Sequence, residues 1–163
     1  MRLNERYYSK SSRVYINSTM VLAAQRFLTG YAYGRSLDDA HIEAIVSDAL
    51  DADLADGEAA LAVAERSVFV VLTSADVTLT SGFCSEYCGW HAFAELRGAR
   101  VRFAFVGDAS RCPRAAACSA LTAATAPNGD VAADAMASIL VHELAEVMTD
   151  PDFDACVPSC ADA

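Results

Sequence analysis

The sequence predicts an α+β domain in which a small mixed sheet packs on helices, and three stretches lead to this prediction. Residues 68–72 (Val-Phe-Val-Val-Leu) form a β-branched and aromatic run without alternation, which is typical of a central strand buried on both faces. Residues 101–106 predict a second strand, and residues 131–148 follow the apolar spacing of a helix. These elements alternate along the chain but are too few for a doubly wound sheet.

The sequence also predicts where two helices begin or end. Asp130 follows the turn signal Pro127-Asn128-Gly129 and predicts the N-cap of the later helix. Pro151 predicts the end of that helix, because the residue before a proline avoids helical backbone angles. Ser36 predicts the N-cap of an earlier helix. The apolar positions of that helix follow helical spacing: Ile42, Ile45, Val46 and Leu50.

The composition indicates one folded domain, residues 1–163, and argues against several classes of protein. Hydrophobic residues make up 54% of the chain and charged residues 21%, a balance that excludes disorder. The net charge is −10 and no basic stripe is present, so we expect no nucleic-acid partner, because such binding needs Lys and Arg to neutralise phosphates. The longest apolar run, residues 68–72, is too short to span a bilayer.

Six cysteines fall in three close pairs, which suggests a disulfide framework and an oxidising compartment. The pairs are Cys84 and Cys88, Cys112 and Cys118, and Cys156 and Cys160. The sequence alone does not choose among the possible connectivities. Asn17 begins an Asn-Ser-Thr glycosylation sequon, which agrees with secretion. A secreted protein would need a targeting segment that is not visible here, so we expect the chain to be a fragment of a longer precursor.

The strongest chemical signal is His142-Glu143-Leu144-Ala145-Glu146, late in the predicted helix. His142 and Glu146 stand at positions i and i+4 and share one helix face, so we expect them to bind a divalent metal together. Glu143 is the candidate catalytic residue, because a carboxylate beside a metal can take a proton from water. The pattern differs by one residue from the H-E-x-x-H of zinc proteases. The sequence therefore predicts a zinc site with catalytic potential.

The predicted zinc site needs a further ligand from another part of the chain, because a catalytic zinc usually has three protein ligands and an open position. His91 is the preferred candidate, since two histidines and a glutamate suit a catalytic zinc. The alternatives are Asp150, Asp152 and Asp154.

Two other interpretations compete with this zinc site. In the first, His142 and Glu146 form a simple ion pair on a solvated helix face and bind no metal. Separately, the spacing of Cys84, Cys88 and His91 is compatible with a structural zinc site.

Four segments, taken in order, resemble the EXORDIUM-like, phosphate-induced protein family of secreted proteins. They are Tyr-Gly-Arg-Ser-Leu at 33–37, Val-Leu-Thr-Ser-Ala-Asp-Val at 71–77, Gly-Phe-Cys through Cys-Gly-Trp-His at 82–91, and Ala-Pro-Asn-Gly-Asp-Val at 126–131. Within the family, the chain resembles microbial and algal members, in which the last helix carries a zincin-type His-Glu pair followed by Thr149-Asp150-Pro151. Plant members are expected to lack that pair.

The resemblance implies an extracellular or cell-wall protein with a zincin-like, metallopeptidase-type core. The family's secreted habit favours disulfides Cys84–Cys88 and Cys112–Cys118 over a structural zinc, with His91 held rigidly by the first of these loops. Cys156 and Cys160 lie close to the end of the chain.

Two functions follow as expectations. The first is a secreted, metal-dependent hydrolase: a zincin-like zinc peptidase acting on a peptide or protein substrate. The second is a non-catalytic extracellular, cell-surface or cell-wall protein that serves as a structural or assembly subunit with extracellular partners.

Overall fold

The computed structural model describes residues 8–9, 20–54, 66–113, 117–119 and 122–156. Within these ranges the chain has the predicted α+β class. The strands are β1 (Tyr8–Ser9), β2 (Ser36–Leu37), β3 (Val68–Thr73), β4 (Thr78–Leu79), β5 (Gly89–Leu96), β6 (Ala99–Gly107) and β7 (Ala155–Cys156). The helices are α1 (Asp39–Leu54) and α2 (Val131–Thr149), and a short 3₁₀ turn covers Ala109–Arg111.

The largest sheet has the strand order β3-β6-β5 and is mixed, as predicted. β3 runs parallel to β6, whereas β5 and β6 form an antiparallel hairpin. The hairpin turns at Arg97 and Gly98, which have φ values of 54° and 80°, the left-handed backbone that a two-residue turn requires. Two-stranded pairs complete the described strands: β1 with β7 antiparallel, and β2 with β4 parallel.

The two helices cover opposite faces of the three-stranded sheet. On the first face, Ile42, Val46 and Leu50 of α1 join a buried cluster with Phe103 and Phe105 of β6. On the second face, the neighbouring β6 side chains lie towards α2, because successive side chains of a strand point to opposite faces. β6 is the central strand of the described sheet, because it is hydrogen-bonded to β3 along one edge and to β5 along the other.

The prediction of a central strand at residues 68–72 was therefore wrong among the described residues. This run forms β3, which lies at an edge of the sheet, and Leu72 is 54% exposed. An unbroken apolar run predicts apolar surroundings on both faces of a strand, but it does not show how many strands lie beside it.

The predicted ends of α2 are confirmed. The Asp130 side chain accepts hydrogen bonds from the backbone N–H groups of Ala132 and Ala133 at 3.0 and 3.1 Å, which satisfies two donors of the first turn. The last helical residue is Thr149, two residues before Pro151. The N-cap predicted at Ser36 was wrong, because Ser36 lies in β2 and the Asp38 carboxylate accepts from the N–H of His41 at 3.0 Å.

The disulfides connect differently from the predicted close pairs. Cys84 bonds to Cys112, and Cys88 bonds to Cys118, with Cα atoms 5.3 and 5.4 Å apart. The predicted pairs Cys84–Cys88 and Cys112–Cys118 were therefore wrong. The two bonds instead tie the segment before β5 to the segment after β6, whose ends meet because the hairpin brings them together.

Some predictions fall outside what the structure describes. Asn17 and Cys160 lie in segments that it does not describe, and Cys156 is described only by its backbone in β7. In the described part of the chain, no helix has the length and apolarity needed to cross a bilayer.

Candidate metal centre

His91 is the third residue of β5 and stands opposite Ala104 of β6. The prediction had placed it in a loop closed by Cys84 and Cys88, but a hydrogen-bonded strand fixes its backbone instead. Its side chain is on the α2 face of the sheet and is only 8% exposed. The sheet therefore presents one imidazole to the helix from a rigid element.

The inner face of α2 contains a carboxylate where apolar packing is expected. Ala135, Glu143 and Val147 are buried at spacings of four and eight residues, so they line one side of the helix. The Glu143 side chain is 5% exposed, whereas the neighbouring His142 side chain is 65% exposed. The motif therefore turns its first glutamate, and not its histidine, towards the sheet.

Three side chains meet between β5 and α2, and their potential ligand atoms all lie within 4.8 Å of one another: His91, Glu143 and Glu146. His91 Nδ1 lies 3.4 Å from Glu143 Oε2 and 3.3 Å from Glu146 Oε2. We call this group the β5–α2 trio. One imidazole and two carboxylates form a mixed nitrogen and oxygen set that suits zinc and other divalent transition metals.

A glycine allows the helix to approach the strand at this point. A Cβ atom on Gly89 would lie 2.6 Å from Ile139 Cγ2, 2.8 Å from the Phe105 carbonyl oxygen and 3.1 Å from Glu143 Oε1. These separations are shorter than van der Waals contact. Any larger residue at position 89 would push α2 and Glu143 away from His91.

Burial dominates the electrostatics of Glu143. It raises the pKa of this carboxyl above the ordinary value of 4.5, because removal from water penalises the charged form. The hydrogen bond with His91 lowers the pKa, the charge of Glu146 raises it, and His142 and His91 lower it further. The raised pKa shows that the nearby histidines only partly compensate the burial of this carboxylate.

The trio differs from the ligand set predicted from sequence by one member. His91 and Glu146 lie together as expected, but Glu143 stands where His142 was expected. His142 Nε2 lies 3.3 Å from Glu146 Oε1 at the exposed edge of the site, which is the predicted i,i+4 contact. Among the alternative ligands, Asp152 binds Arg102, and none of the three aspartates belongs to the trio.

An open cleft of about 280 Å³ leads to the trio. It is lined by Gly89, Trp90, His91, His142, Glu143, Glu146 and Phe153. Sequence reasoning missed Gly89, Trp90 and Phe153 as parts of this site. A signal for the strand that carries Gly89 was available, since Trp90 and Phe93 are residue types enriched in strands and Gly98 marks a turn before the second predicted strand.

Comparison with known proteins places these observations in a family. The family model described as "Phosphate-induced protein 1 conserved region" matches residues 2–158. Protein EXORDIUM-like 3 of Arabidopsis thaliana is 28% identical over 155 residues, which cover 88% of this chain and 45% of the relative. Protein EXORDIUM-like 4 of the same plant is 31% identical over 152 residues, 88% of this chain and 50% of the relative. The chain thus spans about half the length of these relatives. No solved structure matches it significantly.

Proposed function

The chain belongs to the phosphate-induced protein 1 family, and we propose that it is a secreted, zinc-dependent hydrolase of the zincin type that cleaves peptides. The two disulfides are compatible with an extracellular location, because such bonds persist in oxidising compartments. The observation that carries the proposal is the meeting of His91, Glu143 and Glu146 within 4.8 Å at the base of an open cleft.

The hydrogen-bonding state of His91 supports a cation in the trio. With the ring hydrogen on Nε2, the Nδ1 lone pair would face carboxylate oxygens of Glu143 and Glu146 at 3.4 and 3.3 Å. With the hydrogen on Nδ1, the buried Nε2 has nothing to accept from among the described residues. A cation held by Nδ1 and the two carboxylates removes the conflict of the first tautomer. Nε2 has no partner among the described residues in either tautomer, so the support for a cation comes from the Nδ1 contacts.

In this proposal His91, Glu143 and Glu146 would hold zinc, which would supply a Lewis acid that lowers the pKa of water to about 7. This assignment replaces the sequence-based one, in which His142 was a ligand and Glu143 the base. His142 lines the cleft and is 65% exposed, so its imidazole can exchange a proton with water and with the amine of a departing peptide. The cleft is open to solvent and is lined by all three members of the trio.

Two variants distinguish the two ligand assignments, because each assignment predicts the opposite pair of results. We expect Glu143→Gln to lose bound zinc and His142→Ala to retain it while peptide hydrolysis falls by about 10²–10⁴-fold, the usual contribution of a general acid or base. The measurements are zinc content by elemental analysis after dialysis and cleavage of a peptide mixture. Glu86→Gln, an exposed glutamate outside the cleft, is the control.

The opposite result, zinc lost from His142→Ala and kept by Glu143→Gln, would restore the sequence-based assignment. A wild-type protein that folds and binds no zinc at micromolar concentrations would contradict the hydrolase itself.

A second function, a non-catalytic extracellular or cell-wall subunit, is favoured by the burial of two members of the trio. His91 and Glu143 are 8% and 5% exposed, so these side chains also serve to tie α2 to the sheet. In that case the protein binds zinc or pairs His91 with the two glutamates, and no hydrolysis accompanies either state. Wild-type protein with stoichiometric zinc and no cleavage of any peptide in the mixture would favour this function.

A further inference from the structure

The segment after α2 places Phe153, one of the residues that line the cleft, against His91. Their ring centroids are 4.8 Å apart and their planes differ by 18°, which is a stacked arrangement. Phe153 is 58% exposed, although the His91 side chain beneath it is 8% exposed. A large apolar side chain left this open to water has one face engaged with the site and the other turned to solvent.

The backbone at Phe153 is in an unusual conformation. Its φ of 55° lies in the left-handed region, which few non-glycine residues adopt and which bulky residues disfavour. Such a conformation persists only where the surrounding contacts enforce it.

An ion pair supplies that constraint. Arg102 of β6 donates from Nε to Asp152 Oδ1 at 2.9 Å and from Nη2 to Asp152 Oδ2 at 3.0 Å, a two-bond arrangement that fixes both position and orientation. Both side chains are mostly buried, with 22% and 18% exposure. Arg100 adds a longer contact to the same carboxylate, 3.4 Å from Nη1 to Oδ2. Asp152 is therefore attached to the sheet one residue before Phe153.

His91 lacks the polar contact that usually orients a metal-binding imidazole. Histidine ligands generally donate their second ring N–H to a carboxylate or a carbonyl, which fixes the tautomer and the plane of the ring. Here Nε2 is buried and has no hydrogen-bond partner among the described residues. The stacked face of Phe153 restricts rotation of the ring from a side that the Nδ1 contacts with Glu143 and Glu146 do not cover.

We propose that Phe153, held by the Arg102–Asp152 ion pair, is a positioning residue that fixes the His91 ring plane and presents Nδ1 to Glu143 and Glu146. The inference rests on the proposed function, since presenting Nδ1 matters most when the trio holds zinc. Packing by an aromatic ring takes the place of the missing hydrogen bond at Nε2. Ring shape, and not only apolar volume, is therefore required at position 153.

Zinc affinity tests this role with three variants and a control. We expect Phe153→Leu to weaken zinc binding about 10-fold, the lower range for loss of a group that orients a ligand, and Asp152→Asn to act in the same direction. Phe153→Tyr keeps the stacked ring and is expected to bind zinc within about 2-fold of wild type, because the group that orients the ligand is retained. Val141→Ala, which shortens an apolar side chain that is 67% exposed on α2 outside the cleft, is the control. The measurement is competition with a coloured chelator.

A purely structural role would lower the unfolding midpoint of the metal-free protein without a selective loss of zinc affinity. We expect Phe153→Leu and Val141→Ala to shift that midpoint by similar small amounts, while only Phe153→Leu weakens zinc binding. Zinc binding by Phe153→Leu equal to that of wild type would overturn the positioning role.

Failure of the proposed function is separable from failure of this inference. If wild-type protein binds no zinc, the hydrolase proposal is contradicted. The orientation of the His91 ring against Phe153 is then tested on metal-free protein by NMR. We expect the His91 ring protons to resonate upfield in wild type because of the Phe153 ring current, and to move downfield in Phe153→Leu and Asp152→Asn but not in Val141→Ala. Unmoved His91 resonances in the first two variants would overturn the inference.

Discussion

The two faces of the central sheet are packed by different chemistry. Against α1, the side chains of Ile42, Val46 and Phe105 are at most 1% exposed and entirely apolar. Against α2, the sheet contributes Gly89 and His91, and the helix contributes a buried glutamate. One face is therefore a sealed apolar core, while the other holds titratable groups beside an open cleft.

The two faces therefore contribute differently to the stability of the fold. Apolar burial on the α1 face is favourable at about 25 cal/mol per Å². On the α2 face, the raised pKa of Glu143 shows that its carboxylate is held at a cost that the nearby histidines do not fully offset. Titratable groups whose burial lowers the stability of the fold are typical of functional sites. Structural ion pairs also perturb pKa values.

The largest expected effect contrasts two phenylalanines, one from each face. Phe105→Ala removes a fully buried ring and should lower the free energy of unfolding by about 3–5 kcal/mol. Phe153→Ala removes a ring that is 58% exposed and should cost less than about 1.5 kcal/mol, the range of an aromatic stacking contact. Urea unfolding of the metal-free proteins measures both values. Equal losses of the free energy of unfolding would mean that Phe153 is packed against the α2 face as tightly as Phe105 is packed against the α1 face.

A smaller effect is expected from Gly89→Ala, which adds one methyl group between β5 and α2. Because the added Cβ would meet Ile139, Phe105 and Glu143 at 2.6 to 3.1 Å, the helix must shift, at a cost of about 1–3 kcal/mol. Gly30→Ala is the matched control, since a Cβ there meets nothing within 4 Å, and it should be neutral or stabilising by about 0.4–1 kcal/mol. Denaturant unfolding with a shared slope gives both numbers. If both variants were neutral, the close approach of α2 would not matter for stability.

The smallest expected effect is a pH dependence of stability that comes from Glu143. Its pKa is raised on folding, so the folded protein holds this proton more tightly than the unfolded chain does. The stabilisation from this group is complete below the ordinary pKa of 4.5 and is lost as the pH rises through the raised pKa. Wild-type protein, stripped of metal with a chelator, should therefore lose stability relative to Glu143→Gln over that interval.

Unfolding midpoints at a series of pH values in chelator measure this difference, with Glu86→Gln as the exposed control. Parallel curves for wild type and Glu143→Gln would show that burial does not set the protonation of this carboxyl.

Much of the fold could be predicted because its signals are local. The Asp130 cap, the Pro151 stop, the apolar spacing of Ile42, Val46 and Leu50, and the strands at 68–72 and 101–106 all depend on neighbouring residues. The candidate motif was found for the same reason, since His142 and Glu146 are one helical turn apart and lie 3.3 Å from each other.

What the sequence by itself determined is this set of helices, strands and chemically capable residues, because propensity, capping and periodicity act over a few positions. The tertiary structure alone decided the disulfide partners, the edge position of β3 and the rotation of α2 that buries Glu143 and exposes His142. These features depend on which surfaces meet after the β5–β6 hairpin forms and Gly89 lets α2 approach. Contacts between residues about 50 positions apart, such as His91 with Glu143, are set by packing and leave no periodic trace in the chain.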